Sequence, residues 1–385
     1  MKKALIITTI SGFLPQFELN DVKILQSQGY EIHYASNFNN PVYSFDENLL
    51  RENGIKLHHI EIEKSPTRIN HNIKAMKQIK QIIDAEKIDL VHCHNPLGAV
   101  AGRIAASVSK QKPCVIYTAH GFHFYSGAPL VNWLIYYPVE KYLAKKTDVI
   151  IKINDEDYNC AKKFKLKKGG SVYRIHGVGV DLERFRKKEE IKAEKRCELG
   201  IPEGSFHIVT AAELNENKNQ KVIIEAIAAL NKKDIYYSIC GKGKNAEKLQ
   251  EVIREKNLEE QVKLLGFRTD MDEILQTADC FAFPSIREGL GIAAVEALGT
   301  EIPLIVADNR GTREYARDDY NSIVCHADSV EEFKRAIDKL YTCAAYREQL
   351  ATHCREMAER FSTRATNDKM QVIYKEVDKK IEARG

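Results

Sequence analysis

This chain predicts an α/β fold in two domains, each a parallel β-sheet covered by helices, and three observations carry the prediction. Short β-branched runs alternate with helical segments from end to end, the pattern of strands joined by crossover helices. The runs fall into two series, separated by VDLERFRKKEEIKAEKRCELGIPEG, whose charge density marks a surface connection containing one helix. At 385 residues the chain has room for two hydrophobic cores.

Strands are expected near 3–9, 31–35, 55–60, 88–93, 114–118, 148–153 and 172–176 in the first series. The second series places them near 206–212, 235–240, 262–265, 280–283, 303–306 and 322–325. The domain boundary is expected near residue 180, at GVGVD. The N-terminus MKKALIITTISGFL imitates a signal peptide, but no small-residue cleavage site follows. It reads as a first strand, and the protein as cytoplasmic. No apolar run reaches the ~18 residues that span a bilayer. Ligands of such sheets bind beyond the carboxyl ends of the strands, so two facing domains would share a cleft.

An apolar share of 44% with 29% charged residues is a soluble globular composition. Nine cysteines are scattered singly, with no C-x-x-C pair, which excludes a zinc-ribbon or disulfide framework and fits a reducing compartment. Net charge is +4, yet residues 1–180 hold 24 basic against 16 acidic residues and the remainder 34 against 38. A basic half beside an acidic half points to one face meeting an anionic surface. The helix RINHNIKAMKQIKQII sets Ile69, Ile73, Met76, Ile79 and Ile83 on one stripe and Lys74, Lys77 and Lys80 on another. KKFKLKK at 162–168 adds five lysines. Solvated helix faces explain these lysines as well as docking on a cytoplasmic leaflet does.

The densest chemistry lies in SIREGLGIAAVEAL, where Glu288 and Glu296 stand eight residues apart. A strand ends just before, and a helix is expected directly after Gly289. The backbone N–H groups of Gly289, Leu290 and Gly291 would then lack intrahelical partners and suit a phosphate. Two carboxylates flanking such a cradle fit a nucleotide sugar, one on sugar hydroxyls and one on ribose; a plain buried helix is the alternative. Lys218 stands near the start of the helix in AELNENKNQKVIIEAI, where its ammonium could reach a diphosphate. Gly241 and Gly243 follow a strand and would admit a ligand close to the backbone, and Gly12 follows the first strand. His120 sits at the end of the strand in YTAHGFHF, with His92, His94 and His123 nearby in strand order. Four histidines are also the ingredients of a metal site, but spacing does not fix their geometry. The D-x-D pairs Asp270/Asp272 and Asp155/Asp157 each open a helix and read as cap and first-turn acids. No obligatory metal is expected.

The segments VHCHNPLGAVAGRIAA, YTAHGFHFYSGAP, NWLIYYPVEKYL, INDEDY, RIHGVGVDLERF, AELNENKNQ, SIREGLG and DNRGTRE span almost the whole chain. Together they resemble retaining glycosyltransferases of family 4, and among these the enzymes of bacterial exopolysaccharide and capsule clusters. The resemblance implies the GT-B fold, two facing Rossmann-like domains with a cleft between them. Residues 1–180 would bind the acceptor, 181–362 the nucleotide sugar, and the final helix in 363–385 would return to the first domain. It implies His120 as the active-site histidine beside the donor sugar. Gly266, Phe267 and Arg268 would meet the uracil edge through backbone groups. Family members carry an Arg and a Lys five residues apart on the diphosphate; here the Lys is Lys218, but Glu213 stands where the Arg is expected. Either Glu213 turns away, or an arginine compensates, with Arg268, Arg287 and Arg310 as candidates. The family's paired glycines near Gly12 are also absent.

The implied reaction is transfer of a sugar, an N-acetylhexosamine by subfamily, from a UDP-sugar to a polyprenyl-diphosphate-linked sugar at the inner face of the cell membrane. Catalysis would use His120, Lys218 and Glu288, with no covalent nucleophile and no nucleic-acid partner. Rivals are a UDP-sugar epimerase of the same fold, a non-catalytic nucleotide-sugar binder, and a transferase to a soluble acceptor.

Overall fold

The computed structural model describes residues 1–39 and 41–383. All thirteen expected strands are present, with no end displaced by more than two residues. The first seven are Lys2–Ile7 (β1), Tyr30–Ser36 (β2), Ile55–His59 (β3), Leu90–Cys93 (β4), Cys114–Ala119 (β5), Val149–Lys152 (β6) and Ser171–Arg174 (β7). The others are Phe206–Ala211 (β8), Ile235–Cys240 (β9), Val262–Gly266 (β10), Cys280–Phe283 (β11), Leu304–Ala307 (β12) and Ser322–Cys325 (β13). Every residue of β4, β5, β11 and β12 is buried, as strands covered on both faces must be.

Two compact units result, one of Met1–Val178 joined by the chain from Thr366 onward, the other of Gly179–Ala365. The first holds a sheet in the order β3-β2-β1-β4-β5-β6-β7, the second one in the order β10-β9-β8-β11-β12-β13. All strand pairs are parallel. In each sheet the winding reverses, between β1 and β4 and between β8 and β11. Such a switch point leaves a crevice at the carboxyl ends of its two strands. The last helix, Thr363–Glu382, is tied into the first unit by buried Tyr374 and by Lys2, which reaches Asp378 (3.1 Å) and Glu382 (2.9 Å).

The helix Ile69–Glu86 buries Ala75, Ile79 and Ile83, whereas Ile69 and Ile73 in its first turns are 61% and 43% exposed. The helix Leu130–Ala144 buries only Glu140, Leu143 and Ala144.

Candidate active site

The loops leaving β8 and β11, the two strands at the switch point of the second sheet, carry the donor-site candidates. After β8 the chain makes a 3-10 turn over Glu216–Lys218, in which the Asn215 side chain accepts the Lys218 N–H at 3.1 Å. Asn219 follows with φ 52°, a left-handed conformation that asparagine tolerates. Its Nδ2 donates to the carbonyls of Ala327 (2.7 Å) and Pro284 (3.4 Å). Asn217 donates from Nδ2 to the Arg287 carbonyl (2.9 Å) and accepts the Ile286 N–H on its own carbonyl (2.8 Å). From the other side Asn309 Nδ2 reaches the Ser285 carbonyl at 2.8 Å. Three asparagines thus clamp backbone 284–287, and Glu288 is mounted on a fixed loop rather than a free one.

Lys218 Nζ lies 2.5 Å from Glu288 Oε1, with side-chain exposures of 20% and 11%. The two leading candidates therefore meet, as an ion pair still open to solvent. Gly311 allows the next loop to close over them, since a Cβ there would stand 2.7 Å from Glu288 Cβ. Arg310 is 8% exposed and its Nε donates to the Glu288 carbonyl at 3.4 Å.

The helix begins at Ile292, not directly after Gly289. Gly291 caps it with φ 97°, outside the helical range, and that conformation delays the start. The first-turn amides without intrahelical partners are consequently those of Gly291, Ile292 and Ala293; Gly289 and Leu290 lie before the cap. A side chain at Gly291 would come within 2.5 Å of the Phe283 ring and 2.8 Å of Tyr315 Oη. Ser285 Oγ and Tyr315 Oη are buried without a hydrogen-bond partner among the described residues. Burial, aided by the Glu288 carboxylate, pushes the Tyr315 phenol well above its ordinary pKa, so it remains a proton donor facing the helix cap. Nothing in the one-dimensional pattern marks Tyr315, because only the fold brings DNRGTREY against Gly291.

Glu296 lies on the same helix, half-buried. Burial lifts its carboxyl to about 7; Arg184 opposes the rise and Asp272 adds to it. An acid whose folded pKa is raised costs stability as pH rises from its unfolded value to its folded one, and no more beyond. Stability should therefore fall between pH ~5 and ~7 through this group, and Glu296→Gln should flatten that slope and be the more stable variant at pH ~8. Thermal melts of both proteins across that range check this; parallel curves would contradict it.

Other expectations sort differently. Glu213 is exposed and forms no ion pair among the described residues; its carbonyl accepts from Gln220 Nε2 at 3.0 Å. Arg268 does not answer it, being bound to Asp270 (2.8 Å) and Glu198 (2.9 Å). Arg287 is exposed. Gly241 and Gly243 do serve a close approach, but of their own chain: added side chains would strike the carbonyls of Ala212 and Leu214. Gly12 is likewise packed against Tyr43, whose carbonyl oxygen would stand 2.5 Å from a Cβ. Gly266 ends β10 with φ 68°, its carbonyl accepting the Gly241 N–H at 2.7 Å, and Phe267 is 67% exposed. Asp270 occupies a cap position without capping, because Lys195 (3.0 Å) and Arg268 hold its carboxylate. Asp272 is held by Arg184 and Lys188.

In the first unit His120 follows β5 and His94 follows β4, with His94 Nδ1 3.3 Å from His120 Nε2. Glu18, which sequence reasoning did not single out, brings Oε1 to 3.3 Å from His94 and 3.6 Å from His120. One ligand atom from each of Glu18, His94 and His120 lies within 4.8 Å of the others, a set that could hold a metal ion. Burial holds His120 down at about 4, with buried Lys152 adding to the effect, and His94 well below the ordinary imidazole range. Both rings are therefore neutral, while burial and the neighbouring Asp21 raise Glu18. His92 does not line this site: it is buried between Tyr374 (3.0 Å) and Thr118 (2.8 Å). His123 stacks on Tyr136, centroids 4.5 Å apart.

Comparison with known proteins bears on the family and the fold. Residues 191–360 match the family model "Glycosyl transferases group 1", and residues 4–154 match "Glycosyl transferase 4-like". The chain is 38% identical to EpsD of Bacillus subtilis (strain 168), named a glycosyltransferase, over 97% of this chain and 96% of that one. It is 29% identical to the UDP-Gal:alpha-D-GlcNAc-diphosphoundecaprenol alpha-1,3-galactosyltransferase of Escherichia coli, over 69% and 70%. The crystal structure of Anabaena HepE in complex with UDP superposes with a TM-score of 0.79 at 19% identity, covering 98% and 100%, which shows a shared fold. The chain belongs to the group 1, family 4-like glycosyltransferases of GT-B fold.

Proposed function

We propose that this glycosyltransferase moves an N-acetylhexosamine from a UDP-sugar to a sugar on a polyprenyl diphosphate, with retention of configuration, in exopolysaccharide or capsule assembly. The observation that carries the donor half is the Lys218–Glu288 pair, 2.5 Å apart, beside the unpaired amides of a helix start at a sheet switch point. A diphosphate entering there draws Lys218 to itself and frees Glu288 to orient the donor sugar hydroxyls. Arg310 is the arginine that takes the place left by Glu213, with Tyr315 donating from below. Glu296 serves the ribose, and the backbone of Gly266, Phe267 and Arg268 the uracil. His120 contributes as a neutral imidazole.

The bond from the anomeric carbon to the diphosphate oxygen breaks as the bond to the acceptor oxygen forms on the same face. The departing UDP takes the acceptor proton. Stabilising charge on that leaving group is the main catalytic work. The acceptor half draws on the Escherichia coli relative, whose name states a diphosphoundecaprenol-linked substrate, and the UDP preference on the same name and on HepE. Among the described residues no helix is long and apolar enough to cross a membrane.

The test is incubation with a panel of UDP-sugars, with and without a polyprenyl-diphosphate sugar, and with chelator present. Transfer requiring both the UDP-sugar and the lipid, undiminished by chelator, is expected. Isomerisation of the UDP-sugar without lipid, or transfer only to soluble sugars, would contradict the reading. Complete loss with chelator, restored by magnesium or manganese, would move the chemistry to a metal.

A further inference from the structure

The helix Leu130–Ala144 has two unlike faces. At about 3.6 residues per turn, Trp133, Tyr137, Glu140 and Ala144 share the inward side. Glu140 pairs with fully buried Arg103 at 2.8 Å, and Tyr137 meets Phe124 and Phe164 with centroids 5.3 and 5.6 Å away. The outward half carries Leu130, Val131, Leu134, Ile135, Val139 and Tyr142, exposed by 80, 54, 76, 54, 41 and 57%. Scattered exposed apolar residues are ordinary, but a contiguous stripe over about four turns marks an interaction surface.

Charge says what covers it. The same outward half ends in Lys141, Lys145 and Lys146. The 162–168 lysine run lies alongside: Phe164 packs on Tyr137, and the Lys167 N–H donates to the Thr147 carbonyl at 3.1 Å. Lys162, Lys163, Lys165 and Lys168 are exposed there. The helix's one carboxylate, Glu140, faces inward; on the next helix Asp155 is held by Arg174 at 2.6 Å and Glu156 by the Ser126 N–H at 2.5 Å. An apolar stripe bordered by lysines suits the interfacial layer of an anionic membrane, apolar side chains among the acyl chains and ammonium groups at the headgroups.

We propose that the outward face of Leu130–Ala144, with the adjoining lysines, is where the enzyme inserts into an anionic phospholipid leaflet. That it thereby meets a polyprenyl-linked acceptor rests on the function proposed above; binding to the leaflet does not.

The full-length protein is floated with vesicles of phosphatidylcholine alone and of phosphatidylcholine with phosphatidylglycerol. Binding that needs phosphatidylglycerol is expected. Leu134→Glu/Ile135→Glu should weaken it at least about tenfold, and Lys162→Gln/Lys163→Gln/Lys165→Gln should weaken it and reduce its salt dependence. Melting curves should be unchanged, since these side chains are exposed. Transfer to acceptor embedded in vesicles should fall in step with binding, while transfer to a short-chain acceptor in detergent holds. Variants that float like the parent overturn the proposal. So does a parent that never floats but sediments as a dimer that Leu134→Glu/Ile135→Glu dissociates, since a second copy then covers the face. If the parent floats, the variants do not, and no lipid-linked acceptor is used in either format, the membrane face stands and the acceptor reading falls.

Discussion

Replacing Glu288 by alanine should lower kcat by about 10²–10³-fold, the usual cost of removing a group aimed at the reacting centre. The fold should survive. Glu288 is set on a loop held by backbone bonds from Asn217, Asn219 and Asn309, none of which uses its side chain. Among the described residues its ion-pair partner is Lys218, whose side chain is 20% exposed and whose ammonium can hydrate once the carboxylate is gone. Loss of a pair near solvent costs about 0–1 kcal/mol, a few degrees in melting temperature. Single-turnover transfer beside a thermal melt checks both parts. Near-normal turnover would remove Glu288 from the mechanism, and a collapsed melt would make it structural.

Lys218→Ala should act on the diphosphate alone. A charged hydrogen bond to phosphate contributes about 1.5–3 kcal/mol, so UDP affinity should fall about 10- to 100-fold. Uridine affinity should not change, because the uracil and ribose contacts assigned to Gly266–Arg268 and Glu296 lie on other elements. Titration calorimetry with both ligands distinguishes this from a general loss of the site. Equal losses for UDP and uridine would contradict the assignment, as would no loss for either.

The parallel sheets were legible because strands buried on both faces are written as unbroken apolar runs, as in ADCFAFPS and IPLIVAD. The carboxylate at the strand-to-helix turn was legible for the same reason. What the pattern hid was three-dimensional approach. Gly241 and Gly243 read as room for a ligand, yet the room is taken by the Ala212 and Leu214 carbonyls. The helix start moved to Ile292 because Gly291 adopts a left-handed conformation, a choice that composition does not announce. Glu18 joins His94 and His120 only through the winding of β1, β4 and β5 side by side.

The most direct test is the position of the diphosphate in a crystal structure with UDP. The β-phosphate should lie within hydrogen-bond distance of Lys218 Nζ and of the amides of Gly291 and Ile292, with the Lys218–Glu288 pair opened. A diphosphate bound elsewhere, with that pair intact, would contradict the account at its centre.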